Sequence, residues 1–245
     1  MAAPAASAKP GPDFVAVSVL SNTVEALEQH RLVLDVGREL LGMYRHPGQF
    51  VQAKRRAEDK PGFFAIASAP ITAEAGQDGQ EAGLELLLKA SGPVAESLCR
   101  LQAGDTIWIS QPMGQGFRLE SVPPADYPSI LLFATGSGIS PIRALIESGA
   151  LRGRRSVRLY YGARTPEHMA FAGSIAAWGA RHGVSVVPVF SSEGAGYVQH
   201  VFARDEDAAA GAAGTAAVLC GRREMTQEVT QILKGRGVDA ILLNY

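Results

Sequence analysis

Cysteine is scarce in this chain, and its scarcity excludes two kinds of scaffold. Only two cysteines occur in 245 residues, Cys99 and Cys220. They lie far apart with no CxxC spacing, so neither a disulfide framework nor a thiolate zinc site is expected. Such usage fits a reducing compartment. The five histidines form no HExxH pair or other ligand set, and no metal is expected. Excess charge is missing as well: 23 Lys and Arg face 24 Asp and Glu, a net charge of −1. Without a concentrated basic run, nucleic acid is not expected as a principal partner. No apolar run is long enough for a transmembrane segment, because the most apolar stretch, around Ile130, is cut by glycine and serine. Peripheral association with a membrane complex stays open.

What is present is apolar residue, 47% of the chain, enough for one large core or two ordinary ones, and two domains are the better fit. Residues 1–13, rich in Ala and Pro, read as a disordered arm, too poor in Arg to establish a transit peptide. From Phe14 to Ser110 six β-rich runs alternate with turn signals: 14–20, 31–36, 49–54, 63–69, 84–90 and 106–110. They predict a small antiparallel barrel, with 72–83 as an exposed hairpin tip. One helical piece, Val94 to Leu101, follows Gly92-Pro93, and its first N–H groups are free to hold an anion beside Lys89. On spacing alone, a plain strand-to-helix connection with a solvated lysine is the preferred account. After a Pro-rich linker the barrel domain, 14–125, gives way to a second domain, 126–245.

The stretch that organises the second domain is SILLFATGSGISPIRALIES, Ser129 to Ser148. Ile130 to Ala134 has the composition of a strand buried on both faces. Thr135 to Ser140 is a cluster of small and polar residues, and Pro141 is expected at the first position of a helix carrying Ile142, Leu145 and Ile146 inward. Gly136 and Gly138 permit a tight turn and close approach to a nucleotide pyrophosphate. The same GxG is also a common βα turn, and neither the third glycine of the dinucleotide fingerprint nor a Walker lysine follows. Further strands are expected at 157–161, 184–190, 216–219 and 240–243, with helices between them, one running from Glu224 to Leu233; the segment 205–215 reads as a loop. The fold class is therefore a two-domain chain, an antiparallel six-stranded β-barrel followed by an α/β parallel-sheet nucleotide-binding domain. Ligands of such sheets gather at the strand ends, here Gly162-Ala163-Arg164, Ser191-Ser192-Glu193 and Cys220-Gly221.

Together, ATGSGISPIR, LYYGAR, VLCGRREM, the loop QPMGQGF and the terminal aromatic resemble the ferredoxin–NADP reductase superfamily over nearly the whole chain. The nearest groups are plastid-type plant and algal reductase-like proteins and the electron-transfer subunit of dihydroorotate dehydrogenase. The resemblance implies FAD on the barrel, NAD(P)H on the second domain, hydride passing between them, and electrons leaving to a protein acceptor, iron–sulfur proteins included. It implies the chloroplast stroma, or failing that the cytoplasm.

Residue by residue, the resemblance puts Phe63, Phe64, Ala65, Ile66 and Ser68 on the flavin-binding strand, with Leu88 and Lys89 opposite. Family members usually carry arginine, tyrosine and serine where this chain has Gly62, Phe64 and Ala65. Phe64 retains a ring without a hydroxyl, Ala65 offers only a backbone N–H, and Lys89 replaces a bidentate phosphate contact with a point charge. The flavin pyrophosphate turn maps onto Gly92, Val94 and Ala95. On the second domain Thr135, Gly136, Gly138, Ile139 and Pro141 match the NAD(P) pyrophosphate loop, and Gly162 and Arg164 the stretch beside the adenosine. Cys220, Gly221 and Met225 fall in the motif next to the nicotinamide, where Cys220 is implied to orient the ring. Tyr245 corresponds to the aromatic that covers the flavin. Glu193 leans towards NAD, Arg164, Arg222 and Arg223 towards NADP, and the choice stays open. The altered flavin strand supports a second reading: a reductase-derived assembly or regulatory subunit of a larger complex, photosynthetic complexes included.

Overall fold

The computed structural model describes residues 13–71, 83–194, 196–205, 208 and 213–243. The proposed arm, the expected hairpin tip and Tyr245 thus lie outside the described residues, apart from Asp13 and Gly83. Six antiparallel strands form the first sheet: β1 (Phe14–Ala26), β2 (Gln29–Asp35), β3 (Phe50–Lys54), β4 (Gly62–Ala65), β5 (Leu84–Lys89) and β6 (Thr106–Ser110), in the order β4-β3-β6-β1-β2-β5. The two edges meet through the bridge between Ile66 and Leu86 and the hydrogen bond from Ala67 N to Glu85 O, 2.8 Å. Closure removes the free edges of the sheet. Inward residues of every second position, among them Leu32, Leu34, Val51, Leu86 and Ile107, fill the interior and are fully buried.

Strand limits differ from the sequence expectation where tertiary pairing takes over. β1 runs on to Ala26 because β2 pairs with it along its outer half, past an irregularity between Val19 and Ser21. β4 stops at Ala65, since from Ile66 onward the chain turns to close the barrel. A short helix, α1 (Gly37–Met43), carries no clear apolar period and was not expected. Helix α2 (Pro93–Cys99) begins at the proline, after Gly92 at φ 84, and Asn22 Nδ2 donates to the carbonyls of Leu98, Cys99 and Leu101 at its far end.

The second sheet is parallel, β11-β10-β7-β8-β9, from β7 (Ser129–Thr135), β8 (Ser156–Ala163), β9 (Val184–Phe190), β10 (Thr215–Cys220) and β11 (Ala240–Leu243). β7 lies at the centre, and Ile130 to Ala134 are all buried, as a strand covered on both faces requires. Its two faces belong to different clusters: Ile130, Leu132 and Ala134 pack with Ile142 and Ile146 of helix α3 (Ile139–Glu147), while Leu131 and Phe133 pack with Phe202 of α5 (Val198–Arg204) and Val229 of α6 (Arg223–Gly235). Helix α4 (Ile175–His182) adds Trp178 to the first cluster. In α6, Val229 and Leu233 are buried and Ile232 packs at the margin.

Pro141 is the third residue of α3, not the first. A 3-10 turn over Gly136–Gly138 tightens the chain before the helix, so α3 starts at Ile139. Proline is still accommodated, because the N–H groups of the whole first turn lack intrahelical partners.

Candidate functional site

The barrel and the parallel sheet face each other across a cleft of about 700 Å³. From the second sheet it is lined by the Thr135–Gly138 turn, by Gly162, Ala163 and Arg164 at the end of β8, by Ser191 and Tyr197 beyond β9, and by Cys220, Gly221 and Arg222 at the end of β10. From the barrel come Ala65, Lys89 and the β1–β2 turn, Leu27 to Gln29. Among the described residues, bonds between the halves include Leu27 N to Glu167 O (2.7 Å), Gln29 Nε2 to His168 O (2.7 Å), Phe171 N to Glu25 Oε1 (2.9 Å) and Arg143 Nη1 to Glu85 Oε2 (2.5 Å).

The two glycines of the β7 turn serve different needs. Gly136 has φ +54 with nothing within 4 Å of a Cβ placed on it, so backbone conformation and open space coincide there. Gly138 has ordinary φ, −62, but a Cβ on it would lie 2.5 Å from the Cys220 carbonyl oxygen and 2.8 Å from the Gly221 Cα. Here the main chain of β10 comes up against the turn. The Thr135 hydroxyl accepts the Arg222 N–H at 2.9 Å and ties the two strand ends. The result is a pocket of backbone N–H groups at the start of a nine-residue helix, suited to a phosphate.

Cys220 closes β10 half-buried at the cleft wall. Burial pushes its thiol up to about 12, so the side chain is an uncharged S–H at neutral pH rather than a thiolate. Iodoacetamide at pH 7.5 is expected to modify Cys220 at least about a hundredfold more slowly than free cysteine, because the thiolate is the reacting form; peptide mass mapping checks this, and rapid labelling would contradict the uncharged assignment.

Of the residues singled out from sequence, the cleft brings together Ala65, Lys89, Thr135, Gly136, Gly138, Gly162, Arg164, Cys220 and Gly221. Others stand apart from it. Ile66 and Leu88 are fully buried inside the barrel, and Ala95, Ile139, Pro141 and Met225 are buried under their helices. Ser68 has structural partners: its Oγ accepts from Glu85 N and its carbonyl from the Tyr44 hydroxyl. Phe63 is 66% exposed, with its ring 5.8 Å from that of Phe50. Phe64 packs at the margin of the barrel core with Val94, and two of its ring atoms lie 3.0 Å from a Cβ placed on Gly62. Gly92 has open space around it. Sequence reasoning missed Leu27, Glu28, Gln29, His168 and Tyr197, for which neither spacing nor composition gives a signal; apposition of the halves brings the first three to the cleft, and the segments after β8 and β9 bring His168 and Tyr197.

The residues fit a nicotinamide dinucleotide: the Gly136 cradle is open, backbone donors surround it, and the cleft continues on both sides of the turn. Towards a flavin the fit is partial. The cleft reaches the ends of β4 and β5 at Ala65 and Lys89, but Gly62 offers no phosphate ligand and the Phe64 ring packs at the margin of the barrel core.

Known proteins agree with this construction. Residues 132–231 match the family model for the oxidoreductase NAD-binding domain. The fruit protein pKIWI502 of Actinidia deliciosa is 35% identical over 236 residues, 90% of this chain and 72% of that protein. A probable electron-transfer subunit of dihydroorotate dehydrogenase B (NAD(+)) from Pyrococcus furiosus is 35% identical over 115 residues, 47% of this chain and 42% of that one. The chain thus spans less than half the length of that relative. Among solved structures, a ferredoxin NADP+ reductase from Neisseria gonorrhoeae with bound FAD and NADP shares the fold, with TM-score 0.74 over 94% of this chain and 97% of that one at 21% identity. A closed antiparallel barrel, a parallel sheet carrying the glycine turn, and sequence similarity running through both identify the chain as a member of the ferredoxin–NADP reductase superfamily.

Proposed function

We propose that this protein is an NAD(P)H-dependent flavin oxidoreductase that hands electrons to a protein acceptor. The observation that carries the reading is the single cleft shared by both halves, in which the Thr135–Gly138 turn and Cys220 face Ala65 and Lys89. Bound there, the nicotinamide would supply a hydride and the flavin would take it up. The chain's own part is to bind and orient. Backbone donors of the β7 turn hold the diphosphate, Cys220 offers an uncharged polar edge beside the ring, and Ala65 contributes its main chain at the barrel wall. The acceptor is argued from the relatives named as electron-transfer subunits.

A second reading rests on one observation, the Phe64 ring lying over Gly62, 3.0 Å from a Cβ placed there. It makes the chain a reductase-derived subunit with weak flavin binding that acts in assembly or regulation of a larger complex. Reconstitution with FAD separates the two. The oxidoreductase is expected to turn yellow with FAD and to bleach on anaerobic addition of NADH or NADPH; a protein that stays colourless with both FAD and FMN supports the subunit reading instead.

A further inference from the structure

Backbone strain is gathered at one place in this molecule. Among the described residues only two non-glycines hold a positive φ, Glu28 at 63 and Phe171 at 58. They stand on opposite sides of the seam, in segments bonded to each other: Phe171 N donates to Glu25 Oε1, Leu27 N to the Glu167 carbonyl and Gln29 Nε2 to the His168 carbonyl. Residues with a side chain rarely adopt this backbone, and it persists where surrounding contacts over-determine it. Buried polar groups go unmatched at the same contact. Gln29 Oε1 is sealed from solvent with no hydrogen-bond partner among the described residues, and the Tyr161 hydroxyl, which Ala170 and Glu25 face, makes no well-formed hydrogen bond there. Each is a cost that water would remove if the contact parted. The other contact across the seam is satisfied throughout: Arg31 and Arg143 close on Glu85, and Glu147 accepts from Arg143 and Trp178.

We propose that the β1–β2 turn and the segment 167–171 form a strained latch, which parts to widen the cleft while the Glu85–Arg143 cluster stays closed as the pivot. Leu27, Glu28, Gln29 and His168 are cleft wall, so separation at the latch enlarges the opening directly. Opening is favoured by hydration of Gln29 Oε1 and the Tyr161 hydroxyl and by release of Glu28 and Phe171 from the bonds that fix their backbones. Closure is favoured by those bonds and by Ala26, a barrel residue buried in one cluster with Met169, Ala170 and Phe171. Gains and costs thus oppose each other at a single contact, the condition for an element with two accessible states. Phe171 joins latch to pivot, because its N–H is held by Glu25 while its ring lies 4.4 Å from the Arg143 guanidinium. Arg143 belongs to α3, which begins where the Gly136–Gly138 turn ends. The inference is independent of which cofactor the cleft takes.

The experiment is native-state hydrogen exchange of the full chain, followed amide by amide by NMR and corrected for intrinsic rates. The Leu27 and Phe171 amides are expected to exchange at least about a hundredfold faster than those of Leu131 to Phe133 in β7, through an opening smaller than global unfolding. Ala67 N, bonded to the Glu85 carbonyl beside the pivot, should stay as slow as β7. Glu28→Gly keeps the left-handed backbone without its side-chain penalty, and should slow Phe171, on the opposite half, by about threefold or more. Glu25→Ala removes the acceptor of Phe171 N and should speed Leu27, whose own partner is untouched, by about tenfold. Should Glu25→Ala fail to fold, the native chain and Glu28→Gly, at an exposed position, carry the test. Latch amides as slow as β7 would show that the contact parts only on global unfolding, and overturn the proposal. So would an Ala67 amide that exchanges along with the latch, since the seam would then part as a whole. Unchanged exchange of Phe171 in Glu28→Gly, or of Leu27 in a folded Glu25→Ala, overturns it too, because strain and bonds would then have no part in the opening.

Discussion

Gly138→Ala is expected to abolish nucleotide binding, whereas Gly136→Ala, two residues earlier, should only weaken the fold. The difference is one of mechanism. At Gly136 the penalty is conformational: φ +54 suits glycine, nothing stands within 4 Å, and alanine there costs roughly 1–2 kcal/mol of backbone strain. At Gly138 the backbone is ordinary, and the penalty is steric. The added methyl meets the Cys220 carbonyl oxygen at 2.5 Å, its carbon at 2.7 Å and the Gly221 Cα at 2.8 Å. These are main-chain atoms of a strand end held in a five-stranded sheet, and no side-chain rotation relieves them. Either the β7 turn or the β10 end must move, at a cost of about 1–3 kcal/mol for overpacking. The displaced element is the phosphate pocket itself. Gly221 meets the same wall from the other side, since a Cβ on it would collide with the Thr135 hydroxyl that receives the Arg222 N–H. Thermal melts with ADP titration check the contrast: Gly136→Ala should retain binding within about tenfold, and Gly138→Ala should show none at millimolar ligand. A Gly138→Ala protein that binds ADP normally would mean the two strand ends are not in rigid apposition.

That contrast also marks how far the sequence is readable. GSG after an apolar strand announces a turn and a ligand, because glycine frequency and apolar period are local properties. Which glycine needs φ and which needs room depends on β10, some eighty residues away, and no local pattern carries that. The same division runs through the barrel. Alternation exposed four of its strands closely, β2, β3, β5 and β6, yet the length of β1, the closing bridge from Ile66 to Leu86 and the early end of β4 follow from pairing and ring closure, constraints on several strands at once. Proline 141 reads as a helix start because its missing N–H is tolerated throughout the first turn, so the signal fixes the turn and not the residue. The barrel wall of the cleft was least legible. Leu27, Glu28 and Gln29 sit in a turn without Gly, Pro or Asn, and their importance arises only where they cross to Glu167 and His168. Motif resemblance placed Ile66, Leu88 and Met225 near a cofactor, but these side chains are buried in the cores that support the cleft.

Arg143→Met is expected to destabilise the protein by about 1.5–3 kcal/mol, the usual worth of a hydrogen bond to a charged group, since Glu85 keeps Arg31, and to make the two halves separate at a milder pH. Arg143 lies on α3, directly after the phosphate turn, and Glu85 on β5 of the barrel; their side chains are 11% and 14% exposed. Arg143 Nη1 donates to Glu85 Oε2, Arg143 Nε to Glu147 Oε1 at 3.0 Å, and its guanidinium lies 4.4 Å from the centre of the Phe171 ring. Arg31 holds the same carboxylate through Nε and Nη2 at 2.8 and 2.6 Å. Two guanidinium groups and two carboxylates thus balance across the seam, with Trp178 Nε1 completing Glu147 at 3.0 Å. Burial alone would raise the Glu85 carboxyl, but the hydrogen bonds from Arg31 and Arg143 outweigh it and hold the group below its ordinary value. The sign of the pH effect follows. A carboxyl whose folded value is depressed stabilises the fold above its unfolded value, about 4.3, and that contribution is lost as pH falls through the lower folded value. The native chain should therefore hold its seam down to about pH 4 and lose it below. Without Arg143, burial of Glu85 is opposed by Arg31 alone, its carboxyl rises, and acid unfolding moves to higher pH. Circular dichroism against pH and temperature reads both effects, and the double variant Glu85→Gln with Arg143→Met should be less damaged than the sum of the two single changes, because the second removes a partner already lost. Single variants that melt and titrate as the native chain does, or losses that simply add, would show that the pair lies at the seam without holding it.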